Sequence, residues 1–310
     1  MSSIVRRLAV KTIIKTLLRH RPSPVFKVGI DALDRDWTFR PSRPDGITAA
    51  VRATALRGLR HAPAHHAIIP ICSRPRWIVF FVYLPSGGLT AAHRFTLERL
   101  RQADAGLCII CAAPTPADIP AEITTVADAL YWKALPGFDF SAYALALHAI
   151  AHDSPGADVL VLNDSVFGPF SPVDSLWSHM RWDLTGFTAS AQLQNHIQSY
   201  AFHLKRVDAD RLRVLRTVMP RHWAFDDYRG AVYLQESRFA TVAARSMSVG
   251  ALWYADGERS GDPSIFAALP LLDAGFPFLK RSLLTKNAHV VPRDSILHAL
   301  TCRDHPIDGL

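Results

Sequence analysis

Apolar runs alternate with amphipathic segments through the middle of the chain, which is the pattern of alternating strands and helices. Residues 77–84 (WIVFFVYL) and 107–112 (LCIICA) are apolar throughout, as is typical of strands buried on both faces of a sheet. Residues 89–103 lie between them and place apolar and charged positions on opposite sides of a helix. A further helix near residues 141–151 leads into a third apolar run at residues 159–162. This order predicts an α/β fold with a mostly parallel central sheet.

The third apolar run ends in Asn163, Asp164 and Ser165, at a position where open α/β sheets bind ligands. A carboxylate there is a hard oxygen ligand for Mg²⁺ or Mn²⁺, and such an ion commonly bridges to substrate phosphates. Asp164 therefore predicts a metal site for a nucleotide-linked substrate, although the same residue types also form ordinary turns. Tyr83 lies at the end of the first strand, where its ring could stack on a nucleotide base or pack in the core.

The charge of the chain narrows the choice of partners. A net charge of +8 and a pI of about 9.6 favour nucleic acid, an anionic membrane surface or a phosphate-bearing substrate. The sequence has no helix-turn-helix or zinc-finger spacing and no aromatic RNA-recognition motif, so we expect no nucleic acid partner. No apolar run reaches the ~18 residues of a membrane span, and the N-terminus has no secretory cleavage pattern. We therefore expect a cytoplasmic protein.

Residues 1–76 predict an extension rather than a second enzyme domain. Basic residues recur every fourth position over residues 1–24, which predicts a basic amphipathic helix. Such a helix could lie on the anionic inner face of the cytoplasmic membrane, or pack on the protein with a solvated basic face. Residues 40–76 are rich in Pro, Arg and His without sustained periodicity, which indicates a connecting segment. One main domain is then expected at residues 77–310.

Two cysteines form a C-x-x-C motif that predicts neither a metal site nor a redox site. Cys108 and Cys111 lie in the predicted strand at residues 107–112, where positions three apart point to opposite faces. We expect both to be buried free thiols.

Four sequence blocks contain more than strand and turn preferences explain. They are PGFDFSAYALAL at residues 136–147, VLVLNDSVFGPF at 159–170, DLTGFTAS with HIQSYAF between 183 and 202, and FPFLKRSLL at 276–284. Together these blocks resemble the rhamnan synthesis F family of glycosyltransferase-like proteins, which act in the assembly of bacterial cell-surface polysaccharides. The resemblance covers the predicted main domain, and its NDS-x-FGP and H-x-QSY motifs are the most specific parts.

The resemblance implies a GT-A-like nucleotide-sugar-binding fold, with a donor half that holds a metal and a following region that receives the acceptor. Asn163, Asp164 and Ser165 would replace the usual Asp-x-Asp motif, with Asp164 as the ligand of Mg²⁺ or Mn²⁺. Asn163 and Ser165 are also expected to contact the donor, as is Tyr83 from its place at the strand end. The resemblance supports a place for Asp139 in the same pocket, near ribose or base, and the block at 276–284 offers Lys280 as a donor contact. Asp139 could equally act as a helix N-cap, and Lys280 would meet the charge of the departing diphosphate.

His196, Gln198 and Tyr200 are expected to share one face of a strand and to line an acceptor groove. A sugar transfer with inversion also needs a base that removes the proton of the acceptor hydroxyl. Asp183 and Glu236 are the candidates. Glu236 is preferred because it resembles the acid that opens the acceptor-side helix in many inverting GT-A enzymes, although an acid in a first helical turn also interacts favourably with the helix dipole.

We therefore expect an inverting hexosyltransferase. By the resemblance, it would move rhamnose or another deoxyhexose from a nucleotide sugar to a lipid-linked glycan of the bacterial cell envelope, such as a lipopolysaccharide. The alternative is a non-catalytic subunit or scaffold of a polysaccharide assembly machinery, because the NDS motif contains only one carboxylate.

Overall fold

A computed structural model describes residues 29–44, 46–55, 58–256 and 261–310. The basic helix predicted at residues 1–24 lies outside the described residues. No helix in the described ranges is long and apolar enough to cross a membrane.

The dominant element of the described chain is a ten-stranded sheet with the strand order β1-β13-β9-β11-β7-β4-β5-β6-β3, in which β10 also pairs with β9. The strands are β1 (Leu33–Thr38), β2 (Leu59–His61), β3 (His65–Ile69), β4 (Arg76–Tyr83), β5 (Gly106–Ala112), β6 (Ala129–Lys133), β7 (Ala157–Asn163), β8 (Val166–Phe167), β9 (Leu184–Ser190), β10 (His196–Ile197), β11 (Ala201–Val207), β12 (Trp223–Phe225), β13 (Val249–Ala255) and β14 (Leu279–Lys280). Strands β2 and β12 form one separate pair, and β8 and β14 form another.

Short and long helices connect these strands. The α-helices are α1 (Gly46–Ala55), α2 (Ala91–Arg101), α3 (Ala121–Val126), α4 (Phe138–Asp153), α5 (Val173–Trp177), α6 (Ala209–Leu215), α7 (Ser237–Ala243), α8 (Pro263–Phe266), α9 (Ala268–Asp273) and α10 (Arg293–Thr301). A π-helical segment, Gly230–Glu236, leads directly into α7.

The strand directions confirm the predicted α/β class with a mostly parallel central sheet. Strands β7, β4, β5 and β6 are neighbours that run parallel, and β9 pairs in parallel with β13. Strand β11 lies antiparallel between β7 and β9, so β9 and β13 point the same way as the central block. The carboxyl ends of all six parallel strands therefore meet at one edge of the sheet.

Apolar side chains form a core on each face of the sheet. One core contains Phe140, Tyr143 and Leu147 of α4, and the other contains Leu97 and Leu100 of α2. The two cysteines of the C-x-x-C motif belong to different cores, so they face opposite sides as predicted, and both are buried free thiols. Burial raises the pKa of both thiols, which keeps them protonated and unreactive.

The region before residue 77 contributes more regular structure than the sequence pattern indicates. Strand β1 pairs with β13, and β3 pairs with β6, so these two strands form the outer edges of the main sheet. Helix α1 also lies in this region, within the segment expected to be a connection. The pattern hides β3 because four of its five residues are exposed, which leaves no alternation of apolar and polar positions.

Candidate active site

A cleft of about 720 Å³ opens at the carboxyl edge of the parallel strands. This volume is within the range of small-molecule sites, which is roughly 300–1,000 Å³. The residues on its walls with polar or charged side chains include Asp139, Asn163, Ser165, Gln192, His196, Gln198, Ser199, Tyr200, Tyr228, Glu236, Asp262, Lys280, Arg281, Ser282, Thr285, Lys286, Asn287 and His289. Eight of the eleven site residues predicted from the sequence are therefore gathered in one cavity: Asp139, Asn163, Ser165, His196, Gln198, Tyr200, Glu236 and Lys280.

Glu236 lies at the junction of the π-helical segment and α7, and its carboxylate is held from one side. The backbone N–H of Ser199 donates to Glu236 Oε2 at 3.0 Å, and the Ser199 hydroxyl donates to the same oxygen. Within the described residues, Glu236 Oε1 has no hydrogen-bond partner and remains available to a ligand in the cleft. The helix does not begin at Glu236, as the sequence suggested, because the π-helical turns precede it.

Helix α1 holds the segments around Glu236 in place through the side chain of Arg52. Arg52 donates through Nη2 to Gln194 Oε1 at 2.8 Å and to Ser237 Oγ at 2.9 Å, and through Nε to the Tyr233 carbonyl at 2.9 Å. One guanidinium group thus joins the loop before His196 to both helical segments around Glu236. A fork of fixed N–H donors restrains the relative position of these elements.

Asp139 lies in the first turn of α4 and connects this helix to the NDS motif. Asn163 Nδ2 donates to Asp139 Oδ2 at 2.9 Å, and the backbone N–H of Phe140 donates to Asp139 Oδ1 at 2.9 Å. The N-cap of α4 is Gly137, so Asp139 is not the capping residue. Burial raises the pKa of Asp139 to about 6, and the neighbouring Glu236 carboxylate adds to this shift.

Lys280 brings positive charge between the acids of the cleft. It lies in β14, which pairs with β8 directly after the NDS motif, and its Nζ sits 3.8 Å from the centre of the Tyr200 ring. Burial lowers the pKa of Lys280, whereas the carboxylates of Asp262, Glu236 and Asp139 act in the opposite direction. Arg281 and Lys286 lie on the same part of the wall, so one side of the cleft is cationic.

The segment from His196 to Tyr200 is a strand over only its first two residues. His196 Nδ1 lies 2.7 Å from the Gln194 carbonyl oxygen. Because a carbonyl can only accept, Nδ1 is the donor, and Nε2 of the neutral tautomer is then an acceptor. Gln198 Oε1 is buried without a hydrogen-bond partner in the described residues. The Tyr200 hydroxyl instead bonds to Thr188 Oγ1 at 2.8 Å, so its ring supports Lys280 while its hydroxyl faces away.

Asp164 lies beside the cleft rather than on its wall. The backbone N–H of Tyr83 donates to Asp164 Oδ2 at 2.8 Å, and His93 Nε2 lies 3.6 Å from the same oxygen. Arg281 Nη1 is 3.1 Å from His93 Nε2, so a guanidinium group also borders this carboxylate. The described ranges contain no group of three or more His, Cys, Asp or Glu side chains that could hold a metal ion. Tyr83 itself has a half-exposed ring next to Asp164 and does not line the cleft.

Asp183 lies at the opposite edge of the sheet, immediately before β9. Its Oδ1 accepts from Arg211 Nη2 at 2.8 Å, and its Oδ2 accepts from the backbone N–H of Ser248 at 2.9 Å. Burial opposes ionisation here, but the donors from Ser248 and Arg211 outweigh it and lower the pKa of Asp183. These contacts join the starts of β9 and β13, and they do not bring Asp183 near Glu236.

Two features of the cleft are absent from the sequence prediction. Asp262 is the N-cap of α8 and accepts from the Ser264 backbone N–H at 2.9 Å. The sequence Asp262-Pro263-Ser264 could have predicted this helix start, because an N-cap residue is followed by proline at the first helical position. Phe138 and Tyr228 place exposed aromatic rings on the cleft wall, and no periodic pattern marks either residue.

The sequence model of the rhamnan synthesis protein F family matches residues 107–308. The chain belongs to this family. The match contains the NDS motif, the segment from His196 to Tyr200, Glu236 and Lys280, and it begins after β4. No curated protein sequence matches the chain.

Three solved structures are similar to the chain at low identity. A putative nucleotide-diphospho-sugar transferase from Desulfovibrio desulfuricans G20 is 15% identical over 76% of this chain and 99% of that chain, with a TM-score of 0.37. The 4-diphosphocytidyl-2C-methyl-D-erythritol synthase of Anaerococcus prevotii DSM 20548 is 12% identical over 74% and 97%, with a TM-score of 0.34. The glucosyl-3-phosphoglycerate synthase of Mycobacterium tuberculosis, solved with Mn²⁺, uridine diphosphate and glucosyl-3-phosphoglycerate, is 13% identical over 89% and 90%, with a TM-score of 0.35.

Proposed function

We propose that the protein is a GT-A-like glycosyltransferase that moves a sugar from a nucleotide sugar to an acceptor hydroxyl group in the cleft. The observation that carries this proposal is that Glu236, with a free carboxylate oxygen, shares one cavity with the half-buried cation Lys280. A base for the acceptor and a positive charge for the leaving group are the two requirements of the reaction. Membership of the rhamnan synthesis protein F family supports a role in polysaccharide synthesis.

Glu236 acts as the general base in this proposal. The acceptor oxygen attacks the anomeric carbon of the donor, the bond from that carbon to the phosphate oxygen breaks, and the acceptor proton passes to Glu236 Oε1. Ser199 holds Oε2 through two donors, which fixes the direction of the free oxygen. Attack from the side opposite the leaving group inverts the configuration at the anomeric carbon. His196 Nε2 and Gln198 Oε1 supply acceptors for other hydroxyl groups of the acceptor sugar.

The donor lies along the NDS motif and α4. Asp139, Asn163 and Ser165 face the ribose and base, and Lys280 and Arg281 face the diphosphate. The electron pair of the broken bond remains on the diphosphate, whose added charge these cations stabilise. Rhamnose or another deoxyhexose is the proposed sugar, a lipid-linked glycan the proposed acceptor, and the basic segment at residues 1–24 the proposed contact with an anionic membrane.

In this site, the carboxylate of Asp164 is the group that could hold a divalent cation. Asp164 Oδ2 already accepts from Tyr83, and its Oδ1 has no partner in the described ranges. One carboxylate oxygen is enough for Mg²⁺ or Mn²⁺ held mainly by water and substrate phosphates. Asp164 would hold such an ion, which would add positive charge at the leaving diphosphate. His93 and, beyond it, Arg281 already lie on the same side of this carboxylate.

Calorimetric titration with nucleoside diphosphates and nucleotide sugars tests the proposal. Each ligand is added with Mg²⁺ or Mn²⁺ and again with a chelator, and the Lys280→Ala variant is titrated with the ligand that binds best. We expect at least one nucleotide sugar to bind the wild-type protein and the variant to lose about 10-fold or more in affinity. Absence of binding across the panel contradicts the proposal and supports a non-catalytic subunit of a polysaccharide assembly machinery.

A further inference from the structure

A second cavity of about 290 Å³ lies along α4, next to the cleft but separate from it. One wall is the face of α4 that carries Ser141, Leu145, His148 and His152. The opposite wall comes from the loop between β2 and β3 and from the segment that enters β12. These four residues of α4 are three or four positions apart, a spacing that places their side chains in one row on the helix.

The groove carries positive charge without a matching carboxylate. Arg221 and His148 both line it, and no described residue accepts a hydrogen bond from either side chain. Burial lowers the pKa of His148, and the nearby Arg221 and His222 lower it further, so near pH 7 the ring is neutral and offers one N–H donor while Arg221 carries the charge. Asp153 is the acid on the groove wall, and it is bonded to His152 at 2.6 Å. An anion bound in the groove would pair with the Arg221 guanidinium and accept a hydrogen bond from the His148 ring.

An aromatic ring borders the same groove. Trp223 is 44% exposed, and one of its faces stacks on His61 at 4.4 Å with an interplanar angle of 23°. The stacking restrains the indole ring, and Trp223 also lines the groove. A flat aromatic face next to hydrogen-bonding groups suits the apolar face of a sugar ring, whose hydroxyl groups can reach imidazole and hydroxyl side chains.

The groove is one helical turn away from the proposed active site. Phe138 and Asp139 line the cleft, Ser141 lines the groove, and Ser141 Oγ donates to the Phe138 carbonyl at 2.8 Å. A chain of sugar residues could therefore occupy both cavities along α4. The volume of the groove is close to the lower limit of ligand pockets, which favours one sugar ring over a whole nucleotide.

We propose that this groove is a second carbohydrate-binding site that holds a sugar ring bearing a phosphate or carboxylate group. Trp223 stacks on the ring, and Arg221 and His148 bind the anionic group. The binding site itself does not depend on the proposed function. The further role of the groove as a docking site for the acceptor chain does rest on that function. In this role, the acceptor glycan would contain a sugar that carries an acidic group.

Titration of the full chain with four probes tests the site. Glucose 6-phosphate and glucuronate carry both required features, methyl glucoside carries only the ring, and inorganic phosphate carries only the charge. We expect one or both acidic sugars to bind more tightly than methyl glucoside and inorganic phosphate. Equal binding of methyl glucoside would overturn the role of the anion, equal binding of phosphate would overturn the role of the ring, and no binding of any probe would overturn the site.

Variants locate the bound probe. Arg221→Ala should weaken the binding of the preferred acidic sugar about 10-fold or more, because it removes a charge-assisted hydrogen bond. Trp223→Ala should weaken it as well, whereas Arg221→Lys should retain part of the affinity and Arg216→Ala, at an exposed arginine outside the groove, should change nothing. The thermal unfolding of each variant shows that the fold is retained.

The cleft variant separates this inference from the proposed function. Lys280→Ala should weaken the binding of nucleotide sugars and leave the binding of the acidic sugar unchanged. Loss of acidic-sugar binding in Lys280→Ala together with full binding in Arg221→Ala would place the probe in the cleft and overturn the second site. Binding in the groove without any nucleotide-sugar binding would support the second site and contradict the glycosyltransferase.

Discussion

At the scale of single residues, the cleft depends on three acids that lie near one half-buried lysine, Lys280. Burial lowers the pKa of Lys280, and the carboxylates of Asp262, Glu236 and Asp139 all act to raise it. The lysine and arginine side chains on the cleft wall are Lys280, Arg281 and Lys286. Clustering shifts the pKa of Asp139, Asp262 and Lys280, because each charged group is partly removed from water and lies close to other charges. The shift of Asp139 leads to a prediction.

Donor affinity should depend on pH through Asp139. Burial raises the pKa of Asp139 to about 6, so this carboxylate is ionised above that pH and becomes protonated below it. A protonated carboxyl group is a poorer acceptor for hydroxyl and N–H donors of ribose or base. We expect donor affinity to fall about 10-fold between pH 8 and about pH 5, with a midpoint near pH 6.

The Asp139→Asn variant is the control for this titration. The amide cannot ionise, so its donor affinity should lack the step near pH 6 that the wild-type protein shows. Calorimetric dissociation constants measured across this pH range for both proteins check the expectation. The same step in both proteins would assign the titration to another group.

Residue types alone identified much of the cleft wall but not the role of each side chain. Asp139 and Asn163 could be recognised because they stand at element boundaries in motifs of the family resemblance, and Glu236 because it resembles the acid that opens the acceptor-side helix in many inverting GT-A enzymes. The hydrogen-bond partner of Tyr200 could not be predicted from the pattern, since its hydroxyl bonds to Thr188 on a different strand. Asp183 looked like an acid of the site, but strand directions place it at the other edge, where Arg211 and Ser248 bind it.

At the scale of elements, the loop between β6 and α4 sets the position of the donor side of the cleft. Gly137 has φ 94° and Phe138 has φ 50°, so the residue before α4 and the first residue of α4 both have positive φ. The backbone N–H of Gly137 donates to Asp226 Oδ1 at 3.0 Å, and Lys133 Nζ donates to the Ala134 and Pro136 carbonyls at 2.9 and 2.8 Å. These bonds hold the strained loop so that Phe138 and Asp139 reach the cleft.

Gly137→Ala should destabilise the protein and weaken donor binding. A Cβ atom there would lie 2.8 Å from Ser141 Oγ and 3.1 Å from Ala224 Cβ, in a backbone conformation that already disfavours side chains. We expect the free energy of unfolding to fall by about 2 kcal/mol or more, combining strain and steric contact. Urea denaturation provides the measurement.

Gly156→Ala is the matched control for this substitution. Gly156 has φ 86°, but a Cβ atom there would meet nothing within 4 Å, so this variant reports the backbone strain alone. Gly137→Ala should therefore lose more stability than Gly156→Ala. An equal loss in the two variants would show that the contacts of the loop with Ser141 and Ala224 contribute nothing.

Elements with continuous apolar runs were predictable, and elements at the edges of the sheet were not. Strands β4, β5 and β7 are buried on both faces over most of their length, so each contains a continuous apolar run that identifies it. Strand β1 has mostly exposed residues and is held by pairing with β13, which lies more than two hundred positions away in the sequence. A pattern within one segment contains no information about such a partner.

At the scale of the whole molecule, the cleft exists because one sheet edge collects segments from most of the chain. The NDS motif follows β7, the segment from His196 to Tyr200 precedes β11, and Lys280 reaches the site through the small sheet of β8 and β14. Helix α4 then joins this cleft to the groove of Arg221 and Trp223. The sequence indicated this edge through the order of the strands. The groove instead depends on the loop between β2 and β3 and the segment that enters β12, which face α4 across it.

The central claim is that Glu236 is the base of a glycosyl transfer, and the Glu236→Gln variant tests it most directly. The measurement is the rate of nucleoside diphosphate release from the best-binding nucleotide sugar, with Glu98→Gln as a control at an exposed glutamate and Asp183→Asn as the competing base. The account predicts a loss of about 10²- to 10⁴-fold in Glu236→Gln, unchanged donor affinity, and near wild-type rates in both other variants. A wild-type rate in Glu236→Gln, or an equal loss in Asp183→Asn, would contradict it.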